Sequence, residues 1–66
     1  MRSKLKSIME KRQVTIGRLH RTTGLSVTTI LKARGPGISS CTLDTLLRIA
    51  NALNCHPCDL FELLPP

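Results

Sequence analysis

Apolar residues recur at helical spacing along most of the chain. In the first part, Leu5, Ile8 and Met9 form one apolar stripe, which predicts a helix over about residues 2–11. Further along, a second stripe predicts a longer helix over about residues 42–53. Each predicted helix has one apolar face, so the pattern indicates helices that pack around a shared core. The second stripe consists of Leu46, Ile49, Ala50 and Leu53.

Two short helices are predicted between these stripes, and each begins at a capping residue. Thr15 and Ser26 have hydroxyl groups that suit an N-cap, where they accept a hydrogen bond from an otherwise unpaired backbone N–H. Gly24 suits the turn between them, because glycine adopts the left-handed conformation at little cost. The first of these helices covers about residues 15–23, and Gly35 ends the second. Two short capped helices around a glycine turn are typical of a helix-turn-helix.

A fifth short helix is predicted to start at Pro57, because proline fits the first helical position. No segment is a convincing strand, since the β-branched run at residues 27–30 follows the Ser26 cap and is predicted as helix. The predicted fold is therefore all-α: a compact bundle of five short helices with a helix-turn-helix, in a single domain over residues 1–66. The fifth helix would carry Leu60, Phe61, Leu63 and Leu64.

The charge is distributed unevenly along the chain. Residues 1–37 contain nine lysines and arginines and one acidic residue, whereas residues 38–66 contain one arginine and three acidic residues. A basic half of this kind suits a polyanionic partner, because neutralised phosphates supply most non-specific affinity for nucleic acid. The chain has one phenylalanine and neither tyrosine nor tryptophan, so it offers little for stacking on unpaired bases. These observations favour double-stranded over single-stranded nucleic acid.

The composition also bears on location. Charged residues interrupt every stretch that could span a membrane, and no apolar segment near Met1 indicates a signal peptide. Three cysteines cannot form a complete set of disulfides within the chain, and free thiols fit a reducing compartment. We therefore expect a cytoplasmic protein that does not bind membranes.

Two longer stretches have a pattern that resembles a known family. Residues 15–34 are TIGRLHRTTGLSVTTILKAR, and residues 40–63 contain the leucine-rich run LDTLLRIANALN followed by CHPCDL. Together they resemble the Cro/C1-type (lambda-repressor-like, XRE) helix-turn-helix family. The resemblance implies a five-helix domain that binds double-stranded DNA, usually as a homodimer, and regulates transcription, most often as a repressor. Two positions depart from the family pattern: Ile16 stands where glutamine is common, and His20 where a small alanine is preferred.

The second helix of the predicted helix-turn-helix is expected to contact the bases. With Ile30 facing the core, Thr28 and Lys32 point most directly outward, since each residue turns a helix by about 100°. Val27, in the first turn, also reaches the groove if the helix enters by its N-terminus. We predict that Val27, Thr28 and Lys32 contact bases: the lysine suits guanine or a phosphate, and the methyl groups suit thymine. The flanking positions on this face are Thr29 and Leu31.

Phosphate contacts are expected at the starts of helices, where backbone N–H groups favour an anion. Thr15 and Arg18 lie at the start of the second predicted helix. Arg34 is predicted either to contact a phosphate or to cap the third helix. Such contacts position a protein on DNA and carry little sequence information. The remaining predicted phosphate contacts, around the start of the fourth helix, are Ser39, Ser40 and Thr42.

Two other functions remain possible from the sequence. The first is a protein-interaction module on the same fold, such as an antitoxin, with Leu31 or the Leu63-Leu64 end contacting a protein partner. The second is a redox or zinc sensor. Its candidate ligands are Cys41, Cys55, His56 and Cys58.

The sensor hypothesis is the weaker of the two. Adjacent Cys55 and His56 suit one tetrahedral zinc site poorly, and simple packing of these cysteines is the more common role. No group of nucleophile, base and carboxylate indicates catalysis. We therefore predict a protein that is not an enzyme and binds neither a metal nor a cofactor.

Overall fold

The computed structural model describes residues 2–63. Within this range the chain forms four α-helices, two 3₁₀ segments and two short strands. The helices are α1 (Leu5–Arg12), α2 (Ile16–Thr23), α3 (Val27–Ala33) and α4 (Leu43–Leu53). The first 3₁₀ segment is Pro36–Ser40, the second is Pro57–Leu60, and the strands are β1 (Arg2–Ser3) and β2 (Phe61–Glu62).

Three of the helices begin where the sequence predicts, two of them at the predicted N-caps Thr15 and Ser26. Thr15, Ser26 and Thr42 precede α2, α3 and α4, and each hydroxyl oxygen accepts a hydrogen bond from the backbone N–H three residues later, at 3.1–3.2 Å. A hydroxyl at this position typically stabilises a helix by about 1 kcal/mol relative to alanine. The predicted starts of these three helices are therefore confirmed.

Two of the helix ends are also confirmed. Gly24 ends α2 with a φ of 76°, and its N–H donates to the carbonyl of His20 at 3.0 Å. Asn54 ends α4 in the same left-handed conformation, with a φ of 57°. A Cβ atom at Gly24 would meet no atom within 4 Å, so the backbone conformation alone disfavours other residues there.

All four α-helices contribute to one apolar core. Leu5 of α1, Leu19 of α2 and Ile30 of α3 are buried, and α2 packs against both α3 and α4. The predicted stripes on α1 and α4 face this core, with Ile8 half-buried at its margin. The buried residues that complete it are Met9, Ala33, Ile38, Leu46, Ile49, Ala50, Leu53 and Leu60.

The two ends of the described range pair as strands, and this contradicts the prediction that the chain has no strand. β1 and β2 are antiparallel, with Arg2 opposite Glu62 and Ser3 opposite Phe61. The first helix accordingly begins at Leu5 and not near residue 2. Each strand has two residues, so its pairing depends on a distant segment and leaves no periodic pattern in the local sequence.

The predicted fifth helix is also wrong. Pro57 does start a helical segment, but this is a 3₁₀ segment that ends at Leu60. The Leu60 carbonyl accepts a hydrogen bond from the N–H of Lys4 at 2.8 Å, so the chain turns towards β1 and does not continue as an α-helix. Leu63, expected on that helix, is 73% exposed, and Leu64 lies outside the described residues. The fold is thus mostly helical, with four α-helices and a small sheet, and is not purely all-α.

None of the helices in residues 2–63 is long and apolar enough to cross a membrane.

Candidate nucleic-acid interface

The turn between α2 and α3 is held by side-chain hydrogen bonds as well as by Gly24. The Nδ1 of His20 lies 2.5 Å from the carbonyl oxygen of Leu25 and donates to it, because a carbonyl can only accept. The Thr23 hydroxyl donates to the Leu19 carbonyl and accepts from the Leu25 N–H. The His20 ring is exposed, so it points outward along the turn and does not lie between the two helices.

α3 has an inner and an outer face of different chemistry. Ile30 and Ala33 are fully buried, whereas Val27 is 43% and Leu31 is 51% exposed. Four of the five residues predicted on the outer face are therefore exposed next to one another. The other exposed side chains of this face are Thr28 and Lys32.

Thr29 is the exception on this predicted face. It is half-buried, and its hydroxyl lies 2.9 Å from the hydroxyl of Ser26, the N-cap of α3. The backbone N–H of Thr29 also donates to Ser26. The Thr29 side chain therefore stabilises the start of α3 and is less accessible than its neighbours.

Apart from Arg34, the predicted phosphate contacts lie at the start of α2, in the first 3₁₀ segment and at the N-cap of α4. Thr15 and Arg18 are exposed at the start of α2. Ser39 and Ser40 are exposed in the first 3₁₀ segment, and exposed Thr42 caps α4 immediately afterwards. α2 and the first 3₁₀ segment both contact α3. α3 therefore has a cationic group and a hydroxyl on α2 as one neighbour, and hydroxyls on the 3₁₀ segment as the other.

Most cations of the basic half have no acidic partner among residues 2–63. The ion pairs in this range join Arg2 to Glu62 and Arg48 to Asp44. Both pairs are exposed, so each contributes little to stability. Arg18 is outside these pairs, and so the positive charge around α2 and α3 is not neutralised within this range.

A family model of the Cro/C1-type HTH DNA-binding domain matches residues 4–66, a range that contains all four α-helices. The chain belongs to this family. It is therefore a helix-turn-helix domain of a DNA-binding type, and domains of this type are typically not enzymes. No curated protein matches the chain in a sequence comparison.

In this Cro/C1-type domain, Lys32 packs against Gly37. A Cβ atom at Gly37 would lie 2.5 Å from the Lys32 Cγ and 3.2 Å from its carbonyl oxygen. The aliphatic stem of Lys32 therefore lies on the first 3₁₀ segment, and only glycine leaves room for it. The two residues are close in sequence, but the Gly35-Pro36-Gly37 pattern contains no signal for this contact.

Of the two roles predicted for Arg34, the structure shows the cap at the end of α3, and the phosphate contact stays a prediction. Its backbone ends α3, with its N–H donating to the carbonyls of Ile30 and Leu31. Its side chain enters a groove between the end of α1 and the start of α2, next to Thr15 and Ile16. The Nε of Arg34 is buried there without a hydrogen-bond partner among the described residues. Ile16, one of the two departures from the family pattern, is half-buried and packs against the core.

The cysteines of the domain are free thiols. Cys55 is half-buried and Cys58 is exposed. Burial raises the pKa of the Cys55 thiol, and the nearby Asp59 carboxylate raises it further, so this thiol keeps its proton at neutral pH. Thiol redox chemistry and zinc binding both require the thiolate. Residues 2–63 also contain no group of three His, Cys, Asp or Glu side chains placed to hold a metal ion.

Proposed function

We propose that the protein is a sequence-specific transcriptional regulator that recognises the major groove of double-stranded DNA with α3. The observation that carries the proposal is the outer face of α3, where Val27, Thr28, Leu31 and Lys32 are exposed opposite the buried Ile30 and Ala33. An α-helix fits the major groove, and the base edges there differ for every base pair. In this proposal, Val27 and Thr28 approach the bases, Lys32 contacts guanine or a phosphate, and Leu31 and the less accessible Thr29 flank them.

The neighbouring elements would hold the DNA backbone. Arg18 has no acidic partner within residues 2–63, and Arg34 has a buried Nε–H that lacks an acceptor. In the proposal, a phosphate at the start of α2 meets the backbone N–H groups of the helix start and the guanidinium groups of Arg18 and Arg34. The other phosphate contacts in the proposal are Thr15, Ser39, Ser40 and Thr42.

The proposal includes a homodimer in the cytoplasm. α3 has seven residues, so one copy can contact only a few base pairs. Two copies related by a two-fold axis would recognise two half-sites and would make the site long enough to be specific. A small domain that occupies its site excludes other proteins from the same DNA, which favours repression over activation.

A second candidate function is binding of a protein partner, for example as an antitoxin. It is favoured by Leu43 and Leu47, which are four residues apart and therefore adjacent on the surface of α4. Their exposed fractions are 66% and 40%. Sedimentation of the purified protein, alone and as Leu43→Ser and Leu47→Ser variants, is combined with a measurement of duplex binding. Together they distinguish an interface between two copies of the chain from an interface with another protein. A homodimer that these variants dissociate supports an interface between two copies. A stable monomer that binds no DNA favours a different protein as the partner.

The proposed DNA binding is tested by measuring affinity for duplex DNA against salt concentration. If the protein neutralises about 4–6 phosphates, the logarithm of the association constant should fall against the logarithm of salt concentration with a slope of roughly −4 to −5. A single strand of the same sequence is the control and should bind more weakly. Absence of duplex binding at about 50 mM salt, or affinity that does not change with salt, would contradict the proposal.

A further inference from the structure

The outer face of α3 is rich in methyl groups. Val27 and Leu31 are four positions apart and therefore adjacent on the helix surface, and Thr28 lies three positions from Leu31. All three side chains are exposed. Single exposed apolar residues are common on protein surfaces. Here, however, three methyl-bearing side chains form one continuous strip on the helix that is proposed to enter the groove.

Two of the three polar side chains of α3, those of Thr29 and Lys32, are in contact with other parts of the protein. The Thr29 hydroxyl is bonded to Ser26 at the N-cap. The Cγ of Lys32 lies against Gly37 of the first 3₁₀ segment, in which Ser39 and Ser40 are also exposed. An ammonium group on this side of α3 is suited to a phosphate more than to a base edge. Thr28 then has the one hydroxyl of α3 that remains available to a base, among the described residues.

The major groove has one apolar group that such a strip can recognise, the C5-methyl group of thymine. We propose that α3 recognises thymine methyl groups with Val27, Thr28 and Leu31, and that Lys32 binds a phosphate. The proposal rests on the proposed major-groove binding by α3. It predicts that the preferred half-site contains two or three thymines at neighbouring positions, on either strand.

The test replaces thymine by uracil, because the two bases differ only in the methyl group. A duplex is first selected from a random pool by its binding to the protein, and each thymine is then replaced singly. Burial of one methyl group against an apolar side chain corresponds to about fourfold in affinity. We expect each contacted thymine to show a loss of about this size, measured by fluorescence anisotropy, and uracil outside the half-sites to show none.

Two variants connect the methyl groups to particular side chains. Leu31→Ala should lower affinity for the thymine duplex and should remove the effect of uracil at one position of each half-site. Lys32→Ala should weaken binding to the thymine and uracil duplexes equally, because a phosphate contact does not depend on the base. Both residues are exposed, so both variants should keep the wild-type circular dichroism spectrum.

The outcomes separate this proposal from the proposed function. Equal affinity for thymine and uracil duplexes overturns the methyl recognition while DNA binding stands. A change in the preferred base with Lys32→Ala also overturns it, since the lysine would then contact a base. Failure to bind any duplex overturns both proposals. A fourfold loss that disappears in Leu31→Ala supports the proposal.

Discussion

α3 and α4 are built in the same way on the inside and differ on the outside. Each begins at a hydroxyl N-cap and buries one apolar face, with Ile30 in α3 and Ile49 in α4 fully buried. On its exposed face, α4 has Asp44 and Arg48 joined in an ion pair at 3.1 Å. Exposed leucines occur on both helices, but α3 has in addition a lysine without an acidic partner in residues 2–63. Capping and burial therefore explain the fold of both helices, and the exposed side chains distinguish the one proposed to bind DNA.

The largest expected effect concerns the buried apolar faces that α3 and α4 have in common. Ile30→Ala and Ile49→Ala should each lower the free energy of unfolding by about 2–5 kcal/mol, because each removes buried methyl and methylene groups. Urea denaturation measures both. In a domain this small, a loss of that size can exceed the total stability. Ile→Val at the same positions is the milder change and should cost about 0.5–1.5 kcal/mol. Retention of full stability by Ile30→Ala would show that α3 does not pack as described.

The next effect tests the turn that positions α3. Gly24→Val should cost more than about 1 kcal/mol, because a β-branched residue fits a positive φ poorly. Gly17→Ala is the matched control: Gly17 lies inside α2 with no atom within 4 Å of an added Cβ, so alanine should stabilise the protein by up to about 1 kcal/mol. Thermal unfolding should therefore shift in opposite directions. The same shift in both variants would contradict the assigned turn.

An intermediate effect compares the charges near α3 with those on α4. Arg18→Ala should weaken binding to all duplexes about equally and reduce the salt slope by about one unit, because it removes one phosphate contact. Arg48 is bonded to Asp44 on α4, so Arg48→Ala should leave both affinity and salt slope close to wild type. If Arg18→Ala keeps the wild-type salt slope, as Arg48→Ala is expected to do, then Arg18 does not contact a phosphate of the DNA.

The smallest expected effect concerns the contact between Lys32 and Gly37. Gly37→Ala should displace the lysine, because the added Cβ would lie 2.5 Å from its Cγ. We expect duplex affinity to fall a few-fold, about the loss of one phosphate contact. Gly35→Ala is the control, since its Cβ would meet only the Leu31 carbonyl at an ordinary 3.9 Å. Equal affinities for the two variants would contradict a role for the Lys32 position.

The helix-turn-helix and α4 could be predicted because their signals are local. Thr15, Ser26 and Thr42 mark helix starts by their own hydrogen bonds, and Gly24 marks the turn by its own conformation. The apolar spacing within α4 likewise depends on neighbours in sequence. These features could therefore be predicted without knowledge of the rest of the fold.

The ends of the described range could not be predicted in the same way. Pairing of β1 with β2 joins Arg2 to Glu62, and neither two-residue strand has a period of its own. Pro57 fits the start of a 3₁₀ segment as well as that of an α-helix, so its position did not distinguish them. At the candidate site, exposure of α3 followed from the helical period, whereas the contact of Lys32 with Gly37 and the buried Nε of Arg34 depend on the three-dimensional packing.

The central claim, that α3 contacts the bases and α2 the backbone, is tested most directly by parallel selection of duplexes from one random pool. The selection uses the wild-type protein, Thr28→Ala and Arg18→Ala. We expect the wild type to select a palindromic site, and Thr28→Ala to change the preferred base at one position of each half-site by about 1 kcal/mol or more. Arg18→Ala should select the wild-type sequence with lower affinity. A changed sequence with Arg18→Ala, together with an unchanged one for Thr28→Ala, would contradict the assignment of α3 as the recognition helix.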